Sequence, residues 1–286
     1  MILKWEAKDR WWRKVVMGNY GQIEVRNGER LFIRRTKGFT PLRVQQLINL
    51  LAFPERWEEP IATKQKNQVE NGVDSSCITV EKTGSKSGPH EVCIGAASGE
   101  IVSDEWQDLP GVIDREQFAD NFDFGGRRFP RKIQLREDAS MVLTANVTSL
   151  KAIAFDEELL VPPQGAIERR KCAGRTDPAL LNKVKISYPR WAKQDGTVGD
   201  AIASLTIRAD GTIQNIQLIS RAGQAMDEAA LKDMKTWRFT PAMCGNEPVV
   251  SDIVAVVSFR ESRQVELAYN YALVSAVDVE VSFRSQ

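Results

Sequence analysis

Apolar residues over the first forty positions fall into short blocks: Trp5, Trp11-Trp12, Val15-Val16, Ile23, Val25 and Leu31-Phe32-Ile33, divided by Asp9, Gly18-Asn19, Gly21 and Asn27-Gly28. Blocks of that length between turn formers predict an antiparallel meander. Pro41 then opens a stretch with Leu42, Val44, Leu47, Ile48, Leu50 and Leu51 at near-helical spacing, which predicts one helix ending before Pro54. Residues 55–75 are polar and weakly patterned, and predict a loop. Strand signals return at 78–80 and 92–94. From Arg127 to Leu150 the alternation is clearest, with Met141, Leu143, Ala145 and Val147 on one face and Val142, Thr144, Asn146 and Thr148 on the other, as in a half-buried strand.

Residues 157–182 lose this periodicity and carry Pro162-Pro163, Gly165, the basic run Arg169-Arg170-Lys171 and Gly174. A domain boundary is expected there. Beyond it, Ala203, Leu205 and Ile207 alternate with Ser204, Thr206 and Arg208, and Asp210-Gly211 marks a hairpin turning back into a strand over 212–220. Asp227 and Glu228 open a helix whose apolar stripe is Met226, Ala230, Met234 and Trp237, with the acids where the helix dipole favours negative charge. Ile253, Ala255, Val257 and Phe259 alternate as a third strand, so this region reads as β-β-α-β with the helix on one face of the sheet. After Arg260, Val265, Leu267, Tyr269, Tyr271 and Leu273, then Val277, Val279 and Val281, recur at every second position and predict an added strand.

Length and charge narrow the classes. A chain of 286 residues suggests two domains. Lys plus Arg (39) balance Asp plus Glu (38), so no field of one sign draws the chain to nucleic acid. Apolar content of 42% against 27% charged predicts folded structure nearly throughout. No apolar run is long enough to span a membrane, and charges break the opening stretch too often for a signal peptide. Strand character already at Leu3 to Trp5 leads to the expectation that an N-terminal signal or anchor is missing from this chain.

Cys77 and Cys93 flank a Gly/Ser/Lys-rich stretch, 83–89, that reads as a hairpin turn able to bring them together; Cys172 and Cys244 would then tie the boundary region to the C-terminal module. Four cysteines allow three pairings, and four buried free thiols is the alternative. Without a C-x-x-C pair and with His90 as the lone histidine, no metal site is expected. Asp123-Phe124-Gly125 has no phosphate loop or catalytic loop to accompany it, His90 has no identifiable nucleophile partner, and the acids at Asp114 with Glu116 and at 156–158 are of the type that does acid-base work but are explained as well by a solvated loop or a helix start. No catalytic residue and no cofactor are expected, and the chain reads as a binding protein rather than an enzyme.

Tyr188-Pro189, Ala192, Gly199, Asp210-Gly211, Ser220, Met226-Asp227, Ala230, Trp237-Arg238-Phe239, Pro241, Gly245 and Phe259, in that order and spacing, resemble the TonB C-terminal domain family. The aromatic meander, the helix after Pro41 and the segment running from Ala97-Ser98-Gly99-Glu100 through Phe124-Gly125-Gly126-Arg127-Arg128-Phe129-Pro130-Arg131 are more weakly similar to the open half-barrel of LolA-like periplasmic lipoprotein carriers; the alternative for this region is a sheet domain that only spaces the C-terminal module. Together these imply an α+β chain. A curved antiparallel β half-barrel with a helix occupies 1–164, a linker 165–182, a small β-β-α-β TonB-like domain 183–260, and a tail 261–286. The TonB resemblance implies a periplasmic protein that adds an extended peptide of an envelope partner, such as an outer-membrane transporter, to a sheet edge. The edge expected is the last strand of the module, with Ser251, Ile253, Ala255, Val257 and Phe259 as partner-binding positions. Pairing of the tail with that strand would block it. The half-barrel resemblance implies the alternative, a carrier of lipid or lipoprotein.

Overall fold

The computed structural model describes residues 1–7, 9–51, 60–82, 89–109, 112–172, 174–181, 187–260 and 279–285. The chain is α+β, mostly antiparallel strands in open sheets. It divides into two compact units, Met1–Leu42 with Ala154–Gln286, and Arg43–Ile153.

The first unit begins with the expected meander: β1 (Ile2–Ala7), β2 (Arg10–Met17), β3 (Tyr20–Asn27) and β4 (Arg30–Arg35) pair in chain order. Val25 and Phe32 form its small core with Leu160, which a 3-10 turn at Glu157–Leu160 brings onto the sheet. Asp156 caps that turn by accepting the Glu158 N–H.

The second unit opens with the helix after Pro41, α1 (Leu42–Leu50), whose Leu50 packs with Ile133, Leu135 and Ala145. Its sheet comprises β5 (Pro60–Glu70), β6 (Val73–Lys82), β7 (His90–Gly95), β8 (Ile101–Leu109), β9 (Val112–Phe124), β10 (Arg127–Glu137) and β11 (Ser140–Asn146), each paired with its neighbour in sequence. The loop expected over 55–75 is corrected here: Pro60–Glu70 and Val73–Lys82 form a hairpin, with Asn71 and Gly72 both at positive φ as a tight two-residue turn requires. The strand escaped detection because β5 is an edge strand with mostly exposed side chains, held by its ladder to β6 rather than by an apolar face. Cys77 and Cys93 lie directly opposite each other on β6 and β7 and are disulfide-bonded; the turn expected between them at 83–88 falls outside the described residues.

Returning to the first unit, β12 (Ile167–Arg170) pairs with β4, giving the order β1-β2-β3-β4-β12, and β13 (Ala179–Leu180) follows. The C-terminal module then runs α2 (Arg190–Gln194), β14 (Gly199–Ile207), β15 (Ile213–Ser220), α3 (Gln224–Met234), β16 (Phe239–Thr240), β17 (Ala242–Cys244), β18 (Glu247–Val249) and β19 (Ser251–Phe259), with β20 (Val279–Ser285) at the end of the chain. Its main sheet has the order β15-β14-β19-β20. The stretch expected as a linker carries structure of its own: β12 joins the first sheet, Cys172 is bonded to Cys244 of β17, and β13 pairs with β16. Short pairings of this kind leave no periodicity in sequence. The strands of residues 1–160 likewise fall into two open sheets, of five and seven strands once β12 is included, where one curved half-barrel was expected.

Candidate functional site

The C-terminal module is built around the hairpin that Asp210-Gly211 turns. Asp210 Oδ1 accepts the Thr212 N–H at 2.9 Å and its hydroxyl at 2.6 Å, and these bonds hold the carboxyl below its usual range. Gly211 has φ +79°, and a Cβ there would sit 1.9 Å from the Phe239 carbonyl oxygen, while the Phe239 N–H donates to Gly211 O at 3.0 Å. Only glycine allows the turn and the Trp237-Arg238-Phe239 segment to approach so closely. That approach seats Trp237 and Phe239, both buried, against the α3 stripe of Met226, Ala230 and Met234. Leu205 and Ile207 of β14 and Ile253, Val257 and Phe259 of β19 complete the core.

Every residue of β19 is buried. Ile253, Ala255, Val257 and Phe259 face α3, and the alternate positions Asp252, Val254, Val256 and Ser258 are buried on the other face. On one side β19 pairs without interruption with β14, from Gly199↔Phe259 to Ile207↔Ser251. On the other it pairs antiparallel with β20 in seven consecutive positions, from Phe259↔Val279 to Ile253↔Ser285. The side of β19 expected as a free edge is thus taken by the chain's own last strand, because β14 occupies the middle of the hairpin pair and leaves β19 one open ladder to fill. Of the tail positions expected to alternate, 265–277 lie outside the described residues.

Asp252 anchors β19 to the first sheet. Its carboxylate accepts a bidentate pair from Arg169 of β12 at 3.0 and 3.1 Å, the Thr206 hydroxyl at 2.7 Å, and Arg35 of β4 at 3.4 Å. Burial pushes this carboxyl up, but the charge and hydrogen bonds of Arg169, with Arg35 and Thr206, outweigh it and hold the group below its usual value. Sequence reading missed this cluster. Its one signal is a lone acid in an otherwise apolar strand, Ser251-Asp252-Ile253-Val254, which requires a buried partner. A second polar group sits at the far end of the same strand: Asp200 lies opposite Ser258, and Arg260 Nη2 donates to Asp200 Oδ2 at 2.8 Å.

The residues set aside as catalytic remain dispersed. In the second unit, His90 Nδ1 is 2.8 Å from Asp104 Oδ1 and its ring stacks on Trp106. Cys77, Cys93 and Glu91 lie within reach of one cation, but the two sulfurs are bonded to each other. Asp123 and Phe124 line an open cleft of about 300 Å³ that also bears Lys151 and Arg131, the latter stacked over Phe122 at 4.5 Å. Charges in that lining do not suit an acyl chain. No described helix is long and apolar enough to cross a membrane.

Residues 184–260 match the family profile of the Gram-negative bacterial TonB protein C-terminal. The chain is also 33% identical over 85 residues to "Protein TonB" of Vibrio cholerae serotype O1, a match covering 29% of this chain and 35% of that protein. It therefore spans about a third of that relative's length. The C-terminal module belongs to the TonB C-terminal domain family, as the Asp210-Gly211, Trp237-Arg238-Phe239 and Phe259 pattern implies.

Proposed function

We propose that this is a periplasmic TonB-family protein that binds an extended segment of an envelope partner, such as an outer-membrane transporter, by strand addition to β19. The observation that carries the reading is the ladder between β19 and β20. The outer side of β19 accepts an extended antiparallel segment over seven successive residues, and it does so from a strand that, among the described residues, pairs with no other strand. Main-chain bonds along such a ladder provide affinity without regard to sequence, and the alternating positions of the added strand provide selectivity. Binding a partner there means exchanging β20 for the partner's segment, and Ser251, Ile253, Ala255, Val257 and Phe259 form the receiving strand.

The alternative of lipid or lipoprotein carriage has no comparable support, since it rested on one curved sheet around an apolar concavity. The test of the main reading is calorimetry of the whole chain, and of the chain ending at Arg260, against a panel of extended peptides. Saturable binding that tightens when the tail is removed is the expected result. Absence of binding by both forms, with folding verified by circular dichroism, overturns the reading.

A further inference from the structure

In the second unit, the geometry points to a binding site for the C-terminal residue of an extended polypeptide, an apolar side chain beside a free carboxylate, in the cleft next to β10. This inference is independent of strand addition at β19. The cleft opens where a ladder ends. β10 pairs with β11 from Glu137↔Ser140 to Lys132↔Asn146, and one further bond, from the Val147 N–H to Arg131 O at 2.7 Å, is its last. Beyond it residues 148–151 belong to no strand, and together with β9 and β10 they wall the cavity of about 300 Å³.

The floor of the cleft is aromatic and its rim is cationic. Phe122 and Phe124, two positions apart on β9, share one face, where both rings meet Phe129 of β10 at centroid distances of 6.4 and 6.0 Å. Arg131 lies over the Phe122 ring at 4.5 Å, and Lys151 stands on the segment that has left the ladder. Both cations are exposed, and among the described residues neither makes an ion pair. Asp123, the one acid of the lining, sits between the two phenylalanines, so strand alternation turns its carboxylate to the opposite face. Donors add to the positive charge: among the described residues, the main-chain N–H groups of Thr148 to Lys151 have no protein acceptor.

Two uncompensated cations and a run of free N–H groups suit an anion that accepts several hydrogen bonds at once, as a carboxylate does. The rings beneath call for an apolar group beside it. The last residue of a polypeptide carries both on one Cα, whereas the carboxylate of an internal acidic side chain stands apart from its apolar neighbours. A cavity of this size lies at the lower limit for ligand sites, so only the end of the chain enters. The residues before it run out along 148–151, whose unused main-chain groups can pair with theirs.

The experiment is calorimetry of the full chain with acetyl-alanyl-alanyl-phenylalanine bearing a free carboxylate. Saturable binding is expected. Amidation of the carboxylate should weaken it about tenfold, the loss of a charge-assisted hydrogen bond, and a final alanine in place of phenylalanine should weaken it about as much. The full chain carrying Arg131→Met and Lys151→Met should bind acid and amide alike; both side chains are exposed, so the changes remove no buried contact, and circular dichroism checks the fold. If the unaltered chain does not distinguish acid from amide, or binds neither, the site is overturned. If the double variant keeps the preference for the acid, the peptide binds elsewhere and the cleft is overturned. Acetylphenylalanine binding as tightly as the peptide would assign the cleft to a free small acid and overturn the polypeptide as its ligand.

Discussion

At the residue scale, the position that most constrains the C-terminal module is Asp252, a charge placed in an apolar strand. Its two arginine partners, Arg169 and Arg35, are themselves buried, so removing the carboxylate leaves cations unpaired. Asp252→Asn should cost about 3–5 kcal/mol of unfolding free energy, measured by urea denaturation at pH 7. Because its folded value is depressed, the contribution of Asp252 is present above the unfolded value near 4 and is lost as pH falls through the folded one, a loss the Asn variant should not show. Asp114 behaves in the opposite sense in the second unit. Burial, then the charges of Glu137, Asp138 and Glu116, push it up to about 7 against the pull of Arg43. Its folded state keeps a proton that the unfolded chain has released. Stability of that unit should therefore fall as pH rises from about 4 to 7 and level off above, and Asp114→Asn should flatten the urea midpoint across pH 5 to 8.

At the element scale, the TonB-type module was legible because its signals are local. The Asp210-Gly211 turn, the α3 stripe and the alternation of β19 each appear within a dozen residues of sequence. Gly211→Ala should destabilise the module by more than the usual roughly 1 kcal/mol for a positive-φ site, since its methyl meets the Phe239 carbonyl as well. A thermal melt of the full chain checks this. β20 is different, since its neighbour is known only from register. With residues 279–286 deleted, hydrogen exchange should quicken at alternate amides of β19, those that faced β20, while the amides bonded to β14 stay protected. Uniform quickening along β19 would mean that β20 supports the whole module rather than lying on its edge.

At the scale of the whole molecule, each disulfide belongs to one unit. Cys172–Cys244 closes a separation of 72 residues inside the first unit, and Cys77–Cys93 one of 16 inside the second. On chain entropy alone these contribute about 4 and about 3 kcal/mol. Replacing Cys172 and Cys244 with serine should lower the stability of the unit that holds the TonB-type module and leave the second unit's transition unmoved, as resolved by calorimetry of the variant beside the unaltered chain.

The α+β class, the meander, α1, the β-β-α-β module and the turn chemistry were set by sequence alone, because binary pattern, glycine and proline act between near neighbours in the chain. Strand β5 and the run of β8 and β9 were not, since ladder bonds use main-chain groups that every residue carries and polar strands leave no apolar stripe. The grouping of residues 1–42 with 154–286, the pairing of β12 with β4, the closure of β19 by β20 and the meeting of Asp252 with Arg169 and Arg35 were decided only by tertiary structure. Each joins residues separated by tens to hundreds of positions, and which distant partner fills an open ladder or neutralises a buried charge depends on how whole sheets stack, a quantity that no local stretch of sequence carries.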